Sequence, residues 1–247
     1  MIANIVSSIL QFLAAALWVL VPLLLLSVFL DTWLLYRRSK YINSIVWKTL
    51  ELKVPKTVIK SPRAMEQVFA ALHGTYSFGI RFWNKWWKGE VEGWMSFEMV
   101  GRAHGVHFFV RTPEGFRNLI ESAIYAQYSD VEIVEVQDYI SQFPPSLPDK
   151  TYDIFGGDFI LAKENAYPIL TYPHFEEPGR VPEERRLDPI AHLVEVMSNL
   201  KESEAIWLQL LIRPTDVGWK KASEVVIDKL SGKKISTSTK FPFGSLF

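Results

Sequence analysis

Apolar positions run almost without interruption through residues 1–30, MIANIVSSILQFLAAALWVLVPLLLLSVFL, and the first ionisable side chain is Asp31. A helix rises about 1.5 Å per residue, so about 20 apolar residues cross the hydrocarbon core of a bilayer. The run predicts a single membrane-spanning helix within residues 9–29, with Pro22 as a point where it can kink. Beyond it the pattern shortens. Leu50, Leu52 and Val54 alternate with Glu51 and Lys53, which predicts a strand over residues 49–54. Ser61-Pro62 has the form of a helix start, followed by Met65, Val68, Phe69 and Leu72 on one stripe and Gly74 as a stop. Residues 94–100 and 106–111 predict a hairpin across Gly101 to Gly105. Thr112-Pro113 predicts the cap of a second helix bearing Phe116, Leu119, Ile120, Ala123 and Tyr128, and residues 131–136 predict another strand.

The order β-α-β-β-α-β is that of a ferredoxin-like, split βαβ module, in which two helices cover one face of a four-stranded antiparallel sheet. Residues 142–148 (QFPPSLP) read as a linker. After them, residues 153–162 and 167–172 predict a hairpin, with Gly156-Gly157 as a bulge or close approach. Asp188-Pro189 opens a helix with Ile190, Leu193, Val194, Met197 and Leu200 inward. A strand follows over residues 205–213, then a helix over residues 219–230 stopped by Gly232. Both halves contain a hairpin, an X-Pro-started helix and a strand, a weak internal duplication. The expected fold class is therefore α+β: a single transmembrane helix, then two ferredoxin-like modules with antiparallel sheets, the second lacking its closing strand. The expected organisation is an anchor with its basic flank at 1–40, a first module at 45–140, a second at 150–235 and a tail at 236–247, with the chain a truncated form of a longer one.

Charge then orients the anchor. No Lys or Arg precedes the apolar run, which is unlike a cleaved signal peptide. Arg37, Arg38 and Lys40 follow it, and the bias of positive charge towards the cytoplasm places the C-terminal side there, with the N-terminus outside. Trp33, Tyr36 and Tyr41 fall where interfacial aromatics belong. The chain balances 27 Lys and Arg against 27 Asp and Glu, which argues against a dedicated nucleic-acid binder with one large basic face. It has no cysteine, which removes disulfides, thiolate nucleophiles and cysteine zinc sites.

Chemistry is sparse. The sequence has no phosphate loop of the Gly-x-x-x-x-Gly-Lys-Ser/Thr type, no Gly-x-Gly-x-x-Gly, no His-Glu-x-x-His and no Gly-x-Ser-x-Gly. His104 and His107 flank a predicted turn and supply at most half of a zinc site, so turn and strand roles are the simpler reading. Glu132, Glu135 and Asp138 form an acidic strand edge; carboxylates in such a group serve acid–base catalysis only when their environments differ, and on an edge they also deter strand pairing. Residues 82–94 (FWNKWWKGEVEGW) are the most unusual stretch. Trp83, Trp86 and Trp87 with Lys85 and Lys88 suit a membrane surface, a protein partner or stacked bases, or they simply cover the sheet. No metal or cofactor is expected.

Several long strings carry a resemblance: residues 60–74 (KSPRAMEQVFAALHG), 106–113 (VHFFVRTP), 116–128 (FRNLIESAIYAQY), 167–172 (YPILTY) and 207–214 (WLQLLIRP). Together they resemble uncharacterised membrane-anchored proteins of candidate-phyla bacteria, commonly encoded beside FtsK/HerA-like or type IV secretion ATPases. That resemblance implies a non-enzymatic, membrane-tethered accessory component of a type IV secretion or conjugation-like system. Its partners would be the lipid bilayer and a motor ATPase acting in trans, with self-association as a further contact. The alternatives are a membrane-bound hydrolase or nuclease working through the acidic residues, or a nucleic-acid-binding module using the Trp/Lys-rich loop.

Overall fold

The computed structural model describes residues 2–55, 63–76, 79–163, 167, 190–216 and 218–232. Helix α1 (Ile2–Asn43) continues through Pro22. Residues 16–43 contain an 18-residue stretch long and apolar enough to cross a membrane, with a mean hydropathy of 2.1. Leu17, Leu20, Leu24 and Phe29 all stand exposed. Such a surface in water would be strongly unfavourable, at roughly 25 cal/mol per Å² of apolar area.

A tight turn then leads into the folded unit: Ser44 N–H donates to Tyr41 O at 3.0 Å and Ile45 N–H to Ile42 O at 3.2 Å. The elements that follow are β1 (Trp47–Lys53), α2 (Arg63–Leu72), β2 (Met95–Arg102), β3 (Gly105–Pro113), α3 (Arg117–Gln127), β4 (Glu132–Val136), α4 (Ala191–Ser198), β5 (Ile206–Ile212) and α5 (Gly218–Leu230). All five strands belong to one antiparallel sheet in the order β4-β1-β3-β2-β5. The class is α+β, as the patterning predicts.

The register explains the core. Leu50 stands opposite Val110, and Val110 opposite Phe97, so these side chains share a face. Leu50, Val110 and Met95 are closed off from solvent there by Val68 and Leu72 of α2 and by Ile120, Ala123 and Ile124 of α3. The helical stripes predicted from the sequence are thus the stripes that pack. Further along, Gly101 of β2 makes room for α4: a Cβ there would lie 2.6 Å from Cβ of Met197, which is fully buried. An apolar cavity of about 520 Å³ remains on this helix-covered face, between Leu52, Phe97, Met99, Phe108, Leu208 and Leu210.

The structure corrects three expectations. Thr112-Pro113 does not cap a helix. Lys48 and Trp47 pair with Thr112 and Pro113, so β3 runs to Pro113, and α3 starts only after a short 3-10 turn, Glu114–Phe116. The strand ladder takes backbone groups that a cap would have left free, and no side chain caps α3. Residues 153–162 do not form a strand. Phe155, Phe159 and Ile160 are almost wholly exposed, with no neighbouring strand among the described residues to pair with. Most of the opposing stretch, residues 168–172, lies outside the described residues, as do Ser61, Pro62, Asp188 and Pro189. Finally, β5 does not open a second sheet. It pairs with β2, Gln209 opposite Glu98, and extends the first sheet. Periodicity identifies such a strand but not the edge it will join.

Residues 142–148, which read as a linker, lie against the face opposite α2 and α3. Phe143 packs edge-on against Trp207 with ring centroids 5.1 Å apart. Tyr139, at the start of a 3-10 turn (Tyr139–Gln142), stacks near Phe109 at 5.1 Å and meets Trp207 at 5.6 Å. The sheet is therefore covered on both sides over part of its width.

Candidate functional site

The Trp/Lys-rich stretch and the basic flank of α1 come together in one place. Asn84–Lys88 folds as a single π-helical turn, closed by Gly89 in the left-handed region at φ 72°. That turn lies on the end of α1. Trp33 Nε1 donates to the carbonyl of Trp86 at 3.1 Å. The Trp33 ring meets Trp87 edge-on at 6.0 Å, and Trp87 stacks on Trp83 at 6.0 Å. Tyr36 stands 6.4 Å from Trp33, and the Arg37 guanidinium carbon lies 5.6 Å from the Trp33 ring. Gly89 touches the helix backbone so closely that a Cβ would fall 2.2 Å from the carbonyl carbon of Arg37. Glycine is needed there for both reasons, the positive φ and the contact.

The sequence groups Trp83, Lys85, Trp86, Trp87 and Lys88 as one candidate and Trp33, Tyr36, Arg37, Arg38 and Lys40 as another. The structure makes them one surface. Within it the roles divide. Trp33, the Trp86 carbonyl and Gly89 hold the turn against the helix. Phe82, Trp83 and Trp87 stay exposed, at 69, 66 and 55 %, although they are large and apolar. Gly89 is a residue that sequence reasoning misses. Its only signal is its place directly after Lys88, since the helix it touches lies about 50 residues back in the chain.

The acidic edge resolves into separate pairs. Glu135 accepts from Lys48 Nζ at 2.7 Å and also from Arg117. Glu132 faces Lys53 at 3.6 Å, and Asp138 faces Arg111 at 3.6 Å while accepting from Ile140 N–H at 3.0 Å. Each carboxylate thus holds a different cation, and the three do not converge on one point. Lys48, hydrogen-bonded to it, holds the Glu135 carboxyl below its ordinary value of 4.5; partial desolvation opposes this and Arg117 adds to it. Depression of a folded-state value stabilises the fold above the unfolded value and is lost as pH falls through the folded one. Glu135→Gln is therefore expected to differ most from the parent near neutral pH. In thermal melts the two should converge as pH drops below the ordinary carboxylate range; an undiminished difference at about pH 3 would contradict the pairing.

The two histidines do not form a site. His107 Nδ1 lies 2.9 Å from Glu51 Oε1, within the sheet, and His104 stands exposed in the β2–β3 turn. Among the described residues no group of three or more His, Asp or Glu is placed to hold a metal.

One polar cluster was not legible in the sequence. Glu98, 5 % exposed in the interior strand β2, accepts from the hydroxyl of Ser96 and from that of Tyr139 at 2.7 Å. Gln209 of β5 donates to the Tyr139 oxygen at 3.2 Å. Burial, then the neighbouring Glu98 carboxylate, pushes the Tyr139 hydroxyl well above its usual value, so it remains a donor. The cluster ties β2, β5 and the 3-10 turn together. Tyr139→Phe leaves the buried Glu98 short of a donor, which costs about 1–3 kcal/mol. A denaturant midpoint unchanged by this substitution would show that water replaces the lost hydroxyl.

Comparison of the chain with protein families, with curated proteins and with solved structures found no match.

Proposed function

We propose that this chain is a membrane-tethered, non-enzymatic docking component of a type IV secretion or conjugation-like assembly, with its N-terminus outside and its folded unit in the cytoplasm. The observation that carries the reading is the joint between anchor and folded unit. Only a short turn separates α1 from β1, and the Trp33–Trp86 hydrogen bond with the Gly89 contact braces the two a second time. A flexible tether needs neither. A module that presents a partner-binding surface at a set height and angle above a membrane needs both. The order β4-β1-β3-β2, with α2 and α3 on one face, supports a ferredoxin-like, split βαβ reading of the first four strands, to which β5 is added at the β2 edge.

The partner this reading assigns is a motor ATPase in trans, in keeping with the missing phosphate loop and the family resemblance. Crosslinking in intact membranes, followed by solubilisation and recovery of a tagged full chain, is expected to bring down an FtsK/HerA-like or type IV secretion ATPase. Recovery of general chaperones alone would count against it. Orientation is tested separately, because the chain has no cysteine. A single cysteine introduced at Ala126, exposed near the end of α3, should react with an impermeant maleimide only after the cells are opened.

A further inference from the structure

We propose that the π-helical turn and the end of α1 form a binding surface for the anionic phospholipid headgroups of the leaflet nearest the folded unit. This rests on the reading of α1 as a membrane span and adds a second membrane contact to it.

Height comes first. If the hydrocarbon span ends at Phe29, Trp33 lies about 6 Å further along the helix and Arg37 about 12 Å. The polar layer on each side of the core is about 5–7 Å deep. Trp33 therefore sits within that layer, and the Arg37 backbone lies about 5 Å beyond it, near enough for its long side chain to reach back to the headgroups. The Trp87 ring lies 6.0 Å from the Trp33 ring and carries Trp83 with it by stacking. The turn is thus held at the depth where Trp is favoured because one side of the ring meets hydrocarbon and the other meets water. This accounts for three large aromatic side chains, Phe82, Trp83 and Trp87, left exposed on the turn and just before it.

Charge comes second. Arg37, Arg38 and Lys40 on the helix stand beside the stretch carrying Arg81, Lys85 and Lys88. No Asp or Glu occurs between Thr32 and Leu50, or between Gln67 and Gly89; Asp31 and Glu51 bound the first stretch, Glu66 and Glu90 the second. Arg37 and Arg38 are half-buried and Lys40 is exposed, so their charged ends remain open to a group approaching from outside the protein. A phosphate oxygen is a strong acceptor for guanidinium and ammonium groups, through charge-assisted hydrogen bonds. Aromatic rings at the interface, basic side chains around them and the lack of acidic residues in both stretches together select an anionic lipid surface over a neutral one.

The experiment uses the full cysteine-free chain in nanodiscs of equimolar phosphatidylcholine and phosphatidylglycerol. Single spin labels are placed at Leu24→Cys, Lys85→Cys and Ala126→Cys, and depth is read from collisions with oxygen against a water-soluble nickel chelate. The expected order is Leu24 deep, Lys85 at headgroup depth and Ala126 in water. A wet Leu24 label would overturn the membrane span itself. A deep Leu24 with Lys85 as wet as Ala126 would overturn this proposal alone. Lipids retained by the released protein are then counted by mass spectrometry. Arg37→Gln with Arg38→Gln is expected to lower the enrichment of phosphatidylglycerol over phosphatidylcholine by about fivefold or more. Equal retention of the two lipids by the parent chain would overturn the anionic preference.

Discussion

Gly89→Val is expected to release the Trp-rich turn from α1 while the five-stranded sheet stays folded. Two costs add at this position. The left-handed conformation at φ 72° is disfavoured for a residue with a Cβ by about 1–2 kcal/mol, and more for a branched one. The Cβ would also sit 2.2 Å from the carbonyl carbon of Arg37 and 2.5 Å from the amide nitrogen of Arg38. Both are backbone atoms within a helix, so no rotamer change relieves the contact; overpacking of this kind costs about 1–3 kcal/mol more. The turn can escape by moving away, since its hold on the helix is one hydrogen bond and a few ring contacts. Hydrogen exchange checks this. The amide of Glu90, which donates to Asn84 O at 3.1 Å, should lose about tenfold or more of its protection, while amides in β1 and β3 keep theirs. Unchanged exchange at Glu90 would mean that the joint is not as tight as its geometry implies. Loss of protection throughout would mean that the joint and the sheet fold as one unit.

Leu50→Ala is expected to be the most damaging conservative change in the folded unit. Leu50 has no exposed surface and stands at the centre of β1, the strand between β3 and β4. It belongs to one buried cluster with Val68 and Leu72 of α2 and Ile120 of α3. Removing its terminal carbons leaves a void between three elements that the backbone ladders hold in place. The expected cost is about 2–5 kcal/mol. Leu211→Ala makes a useful contrast, since Leu211 in edge strand β5 is 64 % exposed and a surface change of this type stays within about 0.5 kcal/mol. Denaturation of the two variants in the same detergent should separate them clearly. Equal effects would place the core elsewhere.

Legibility differed by element, for identifiable reasons. The long apolar helix is plain because its signal is local and needs no partner: each side chain is judged only by its own polarity. The strands β1, β3 and β4 and the helices α2 and α3 were legible because their apolar spacing matches a single period. The boundary at Thr112-Pro113 was misread because the cap signal is also local, whereas the pairing of β3 with β1 is not. The strand expected at residues 153–162 failed for a related reason. Alternating apolar residues form a strand only where another strand offers its backbone, and none does so among the described residues. The acidic edge could be found by composition, but the cation assigned to each carboxylate could not.

The sequence by itself determined the long apolar helix, its basic and aromatic flank, the α+β class and the membership of the Trp/Lys-rich candidate. These depend on what each residue is and on its near neighbours. Tertiary structure alone decided that β5 joins the first sheet, that Glu98 and Tyr139 meet in the interior, and that the Trp-rich turn is braced against α1 through Trp33 and Gly89. Each of those depends on contacts between residues far apart in the chain. Polarity patterns describe which surfaces must be covered, but the covering partner is selected by shape and hydrogen bonding once the elements pack.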